Sequence, residues 1–375
     1  MAARSAPADA VLPPPGHPRF PHVDALRAIA ALCVVAVHVT AYSGITQGSA
    51  LGAYSARLNV GVAIFFAISG FLLYRPFVAD ARAARAPMAI RDFARRRILR
   101  IVPAYWLALT LLAIAPGLPG VFSGDWWIYY GFGQIYQWDT TLGGIAPAWT
   151  LCIEMTFYAL LPFYALALRR VTAGRSAAAA TRIELGSLAA LAAGALVLRT
   201  VLHARPGLDV VVATLPGMFG WFAVGMALAV VSVADGRGLR ALARRPWTAW
   251  ILAVVAFWVV STRIGAPRGY AEDQYSGPAF LAEHVLYALI AVLILIPAVV
   301  AGDDRGPRRL LAWPLLAWMG LISYGIYLWH MPILAELHQR GVDDWPTLIA
   351  LGVTLAVACA TASYYLVERP ILARK

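Results

Sequence analysis

The chain has 375 residues, 61% hydrophobic and 13% charged, with a mean hydropathy of +0.69 and a formal net charge of +12. That apolar excess excludes a soluble globular protein, and the lack of sustained period-two alternation excludes a transmembrane barrel. The positive charge is almost all arginine, Lys375 being the only lysine, and it clusters between apolar stretches, which fits membrane orientation better than a nucleic-acid partner.

Residues 1–22 are rich in Pro and Ala and lack the apolar core of a signal peptide; they are expected to form a disordered cytoplasmic tail ahead of an uncleaved anchor helix. Ten apolar stretches of helix length follow, near 23–44, 58–77, 99–116, 147–168, 184–203, 209–233, 247–264, 279–301, 311–334 and 345–367. The fold class expected is all-α, a polytopic membrane protein of about ten transmembrane helices spanning 23–368, with a short tail at 369–375. Arginines concentrate in alternate loops: Arg82, Arg85, Arg91 and Arg95–Arg97, then Arg169, Arg170, Arg175 and Arg182, then Arg237, Arg240, Arg244 and Arg245, then Arg305, Arg308 and Arg309. The other loops hold Asp125, Asp139, Glu272, Asp273, Asp343 and Asp344, with only a few arginines (Arg57, Arg205, Arg268, Arg340). By the positive-inside rule both termini are cytoplasmic, in agreement with an even helix count. The longest outer loop, 117–146, carries Trp126, Trp127, Tyr129, Tyr130, Tyr136 and Trp138 and reads as an interfacial segment, either an aromatic belt or a sugar-stacking lid. Cys33, Cys152 and Cys359 all lie in apolar segments without paired spacing and read as small buried residues.

Charges inside these stretches point to a site, because each is unfavourable in hydrocarbon. Arg27 and His38 are eleven positions apart on the first stretch, which on a helix is about three turns, with both on one face about 16 Å apart along the axis. Glu154 falls at about the depth of His38, so a carboxylate–imidazole pair is expected, with Glu154 orienting His38. His330 is placed slightly nearer the outer surface, and Ser69 and Ser323 nearer mid-membrane. At the cytoplasmic side, Arg97 and Arg100 share a helix face at i and i+3, with Arg27 and Arg75 nearby; such converging guanidiniums suit a polyphosphate. No HExxH motif, paired histidine spacing or Asp cluster supports a metal, and no Gly-rich phosphate loop is present.

These residues resemble the membrane-bound acyltransferase-3 family, the O-acyltransferases that decorate bacterial surface polysaccharides and some natural products. Arg27 and His38 match the family's Arg-x10-His pattern. Phe65-Phe66-Ala-Ile-Ser69-Gly70-Phe71 matches the motif of the second helix, and Arg96-Arg97-Ile-Leu-Arg100-Ile-Val-Pro103-Ala-Tyr105 the basic motif before the third. Trp149-Thr150-Leu151-Cys-Ile-Glu154-Met-Thr-Phe157-Tyr158 follows the next motif, with Thr150 where Ser is usual. Ser323-Tyr324-Gly-Ile-Tyr327-Leu328-Trp329-His330 and Glu368-Arg369-Pro370 match the family's ending.

The resemblance implies transfer of an acyl group, commonly acetyl, from cytoplasmic acyl-CoA to a hydroxyl of an extracytoplasmic glycan, glycolipid or small molecule. No permanently bound cofactor is implied; acyl-CoA is a substrate, and the setting is the bacterial cytoplasmic membrane with its lipids. His38 is then the catalytic imidazole, as base or transient acyl carrier, and Glu154 its partner. Arg27, Arg97 and Arg100 hold the donor phosphates, while Ser69, Tyr324 and His330 line the path or polarise the thioester. The competing class is a transporter or flippase of a lipid-linked sugar, which also places charges inside the membrane.

Overall fold

The computed structural model describes residues 16–373 apart from 204, 206–207, 235–237, 240, 242–244, 246, 265–275, 301–304 and the side chain of Asp209. Among the described residues every regular element is helical. The principal helices are α1 (Pro21–Tyr42), α2 (Val60–Arg82), α3 (Ile90–Leu112), α4 (Trp149–Thr172) and α5 (Ala177–Leu202). They continue with α6 (Leu215–Val233), α7 (Thr248–Thr262), α8 (Gly277–Val299) and α9 (Pro314–Gln339). The last apolar segment, Trp345–Leu372, has a central α10 (Thr354–Ser363) flanked by wider π-helical turns at Leu348–Val353 and Tyr364–Glu368.

Among the described residues, eight helical segments are long and apolar enough to cross a membrane by length and composition. The other two expected stretches are also helices: α7 has only 15 residues, and α9 has 26 but is diluted by Ser323, His330, Glu336 and His338. The protein is an all-α polytopic membrane protein. Counting apolar length places the third stretch at 99, whereas α3 begins at Ile90. The reason is that the basic run is itself helical, with Phe93 and Ile101 buried while Arg91 and Arg95 face outward.

Small residues let the central helices touch backbone to backbone. A Cβ at Gly225 of α6 would lie 1.9 Å from the Ala67 carbonyl oxygen of α2, and one at Gly70 of α2 would lie 2.3 Å from that of Phe222. Beside this contact Phe222 stacks between Phe66 and Phe157, at centroid distances of 4.4 and 4.2 Å. α1 and α9 pack side by side in the same direction. Gly320 meets the Asp24 backbone near their starts, and His330 meets His38 toward their ends.

The arginine-bearing loops gather at one end. Arg169 donates to the Arg85 carbonyl at 2.6 Å, Arg82 pairs with Glu184 at 2.5 Å, and His17 Nε2 lies 3.3 Å from Asp80. This is called the basic end below; Arg237, Arg240, Arg244, Arg268, Glu272 and Asp273 lie outside the described residues. Of the expected N-terminal tail, residues 1–15 also lie outside them. The following residues pack on the bundle, Phe20 meeting Phe71 edge-on at 5.1 Å, and α1 starts at Pro21.

At the opposite end the 117–146 loop folds into short turns around a helix at Trp126–Tyr130. α3 holds it in place: Tyr105 donates to the Tyr129 carbonyl at 2.9 Å and the Trp106 indole to that of Tyr130 at 3.0 Å. Trp126, Trp127, Tyr136 and Trp138 remain exposed, in line with an aromatic belt at a headgroup interface.

Candidate active site

A cavity opens at the basic end and runs inward between α1, α2, α3, α4 and α9. Along α2 its lining extends from Pro76 to Val62, about 21 Å at the helical rise. Its mouth is cationic, with Arg19, Arg27, Arg75, Arg96, Arg97 and Arg100 in the wall. Most of these guanidiniums are committed. Arg27 pairs with Asp24 at 3.0 Å, Arg19 with the same carboxylate at 3.4 Å, and Arg75 donates to Ser232 at 3.1 Å. Arg100 reaches Glu368 of the last segment at 3.8 Å, while Tyr324 of α9 donates to the Ile101 carbonyl at 2.9 Å.

Arg97 differs. Its Nε is buried and has no hydrogen-bond partner, and among the described residues its guanidinium forms no ion pair. It is within electrostatic range of Arg27, Arg100, Glu154 and Tyr158. A half-buried cation of this kind, facing a cavity beside two more arginines, has the chemistry to hold an anion.

Glu154 stands deeper in the same cavity. Its Oε1 accepts from Ser69 at 2.6 Å and its Oε2 from Tyr158, one turn along α4, at 2.9 Å. Both oxygens accept hydrogen bonds, and Arg27 and Arg97 are the positive charges that face the carboxyl. The expected His38–Glu154 pair is therefore corrected: the carboxylate faces α2 and the arginines, and both its oxygens are taken.

His38 pairs with another imidazole. His330 Nε2 lies 3.0 Å from His38 Nδ1, with ring centroids 5.0 Å apart. His330 Nδ1 faces the carbonyls of Ile326 and Tyr327 at 3.1 and 2.9 Å and must carry its proton, leaving Nε2 as an acceptor. His38 Nδ1 faces the Val34 carbonyl at 2.8 Å as well as His330 Nε2, so it is the donor. This network assigns the lone pair of neutral His38 to Nε2. His330 thus sits at the depth of His38 and takes the orienting position expected of Glu154.

Of the eight residues singled out from sequence, Arg27, Ser69, Arg97, Arg100, Glu154 and Tyr324 line one cavity, whereas His38 and His330 do not. Phe65 and Tyr327 stand between the two groups, and Tyr327 is one turn from His330. Tyr158 went without a role in the sequence reading, although its position four residues after Glu154 places it on the same helix face. The three cysteines are free thiols outside the cavity lining.

Sequence comparisons show the class of protein to which this all-helical membrane bundle belongs. The profile of a family described as an acyltransferase domain matches residues 20–365, and the chain belongs to that family, acyltransferase-3. The chain is 27% identical over 379 residues to YrhL of Bacillus subtilis, named as a candidate peptidoglycan O-acetyltransferase, covering 95% of this chain and 55% of the relative. It is 25% identical over 381 residues to the peptidoglycan O-acetyltransferase OatA of Listeria monocytogenes, with 94% and 55% covered. It is 25% identical over 371 residues to the acyltransferase MdmB of Streptomyces mycarofaciens, with 92% and 88% covered. The chain thus spans about half the length of the first two relatives. No solved structure gives a significant match.

Proposed function

We propose that the protein is a membrane O-acyltransferase that moves an acyl group, acetyl by preference, from acyl-CoA to a hydroxyl of a glycan or glycosylated acceptor. The observation that carries this reading is the alignment of a cationic cavity with a histidine pair one helical turn beyond its inner end. In it, Arg97, Arg27 and Arg100 bind the donor's phosphates at the basic end, and the pantetheine arm runs inward past Glu154 toward Phe65. The named activities of YrhL and OatA support a cell-wall polymer as the acceptor class. The positive-inside rule makes the basic end cytoplasmic, with both termini on that side of a bacterial cytoplasmic membrane and the acceptor approaching from the other.

The chemistry balances with the residues present. His38 Nε2 takes the proton of the acceptor hydroxyl, whose oxygen attacks the thioester carbonyl once the acceptor has displaced the Phe65–Tyr327 contact that separates the histidines from the cavity. The carbon–sulfur bond breaks, and the CoA thiolate recovers the proton from His38. The Val34 carbonyl and His330 together hold His38 in the tautomer this step requires. Glu154 keeps Ser69 and Tyr158 fixed in the cavity wall and balances the arginines.

The test is CoA release from radiolabelled acetyl-CoA by purified protein in nanodiscs with cell-wall glycan fragments, with label followed into the glycan. Thiol release and ester-linked label are expected, and both disappear in His38→Ala. Movement of a lipid-linked sugar across proteoliposomes without thiol release would instead establish the transporter.

A further inference from the structure

The cavity does not reach the histidines, and two aromatic rings account for this. Phe65 of α2 and Tyr327 of α9 line its inner end, with Val62 one turn further along α2, and the two rings meet edge to face with centroids 5.8 Å apart and planes at 78°. The Tyr327 ring in turn lies 5.8 Å from that of His330. Tyr327 is held firmly: its hydroxyl lies 2.8 Å from Thr150 Oγ1 and donates to the Pro147 carbonyl at 2.9 Å, and its own carbonyl accepts from His330 Nδ1. Phe65 lies where the two hydrophobic clusters of the bundle meet, packing against both. Phe66, next to Phe65 and also in the cavity lining, is held in the stack with Phe222.

An acyl group at the end of a donor that enters from the basic end therefore meets a wall of defined depth. We propose that Phe65 and Tyr327 form the floor of the acyl pocket and set the length of acyl chain the protein accepts. The proposal rests on the donor reading above. Its physical basis is that a close-packed aromatic wall cannot absorb extra methylenes without displacing a ring, whereas a truncated ring leaves room for them. One methylene in a fitted apolar pocket is worth about 10- to 200-fold in discrimination.

The experiment measures binding of two unreactive donors, the acetyl-CoA and butyryl-CoA analogues in which methylene replaces the thioester sulfur, to detergent-purified full-length protein by titration calorimetry. No acceptor is needed, and the ratio of the two dissociation constants is independent of the active fraction. The wild type is expected to prefer the acetyl analogue. Phe65→Ala shifts the ratio toward the butyryl analogue by about ten-fold or more. Tyr327→Phe, which keeps the volume but loses both hydroxyl contacts, shifts it the same way by less. Leu188→Ala, a truncation at a buried position outside the cavity, leaves the ratio unchanged and controls for general loosening. Should Phe65→Ala not fold, Phe65→Leu and Tyr327→Phe carry the test. A wild type that binds both analogues, with a ratio unmoved by these changes, overturns the aromatic floor and leaves the donor reading intact. A wild type that binds neither analogue overturns the donor reading and the floor with it.

Discussion

His330 Nε2 sits 3.0 Å from His38 Nδ1, and together with the Val34 carbonyl at 2.8 Å it leaves the lone pair of His38 on Nε2. The backbone carbonyls of Ile326 and Tyr327 fix the His330 proton on Nδ1, and the consequence passes through the pair to His38 Nε2. A membrane helix has no spare backbone donors to orient an imidazole, so a second histidine on a parallel helix fills that role.

The first prediction separates the two histidines. His38→Ala removes the base and lowers acyl transfer by about 100- to 10,000-fold. His330→Ala leaves the base in place, with its Nδ1 proton still held by the Val34 carbonyl, but removes the contact that fixes the ring from the side of α9, lowering turnover by at least about ten-fold with little change in donor affinity. Steady-state kinetics that separate kcat from the donor KM provide the check; a fall in donor affinity alone in His330→Ala contradicts the orienting role.

The second concerns Arg97. Because its guanidinium forms no ion pair within 4 Å among the described residues, Arg97→Ala removes binding to an anion while leaving Arg27 to face Glu154. Loss of charge-assisted hydrogen bonds weakens acyl-CoA binding by about 1.5–3 kcal/mol, or about ten- to a hundred-fold. The salt dependence of the dissociation constant becomes shallower as well. Titrations at low and high ionic strength test both, and unchanged affinity returns Arg97 to an orientation signal.

The third concerns packing. Gly225→Ala places a methyl group against the Ala67 carbonyl, forcing α2 and α6 apart at a destabilisation of about 1–3 kcal/mol. Gly186→Ala, within α5 and with nothing within 4 Å of the added atom, is neutral or stabilising by up to about 1 kcal/mol. Thermal unfolding of detergent-purified variants ranks them; equal melting temperatures contradict the contact.

The fourth tests sidedness. Ser123→Cys, in the exposed loop opposite the basic end, reacts with an impermeant maleimide on intact cells. Ala178→Cys, exposed at the start of α5, reacts only after permeabilisation. The reverse pattern inverts the orientation.

The helical class was legible because apolar length needs no tertiary information, and all ten expected stretches fall on helices. The start of α3 was not, since a basic amphipathic run carries no hydropathy signal. The six cavity residues emerged from charge and motif because unfavourable groups in an apolar helix demand a reason. The partnership of His38 was misread: depth along an axis placed Glu154 near it, but depth leaves the rotation of each helix undetermined. Ser69 of α2 captures the carboxylate through a rotation of α4 that only packing fixes, while Tyr158, one turn along α4, takes its other oxygen. The roles of Phe65 and Tyr327 escaped for a similar reason, since an aromatic residue in a membrane helix looks like ordinary core until a void is found on one side of it.

The close approach of Gly320 to Asp24 near the start of α9 gives the molecule a datum. From that fixed point α9 acts as a ruled scale on which Tyr324, Tyr327 and His330 mark successive turns. One residue inserted between Gly320 and Tyr324 would rotate all three marks by about 100°. Swapping a residue in this stretch alters one mark, whereas changing its length moves every mark together, so this part of the chain tolerates new letters better than a new count.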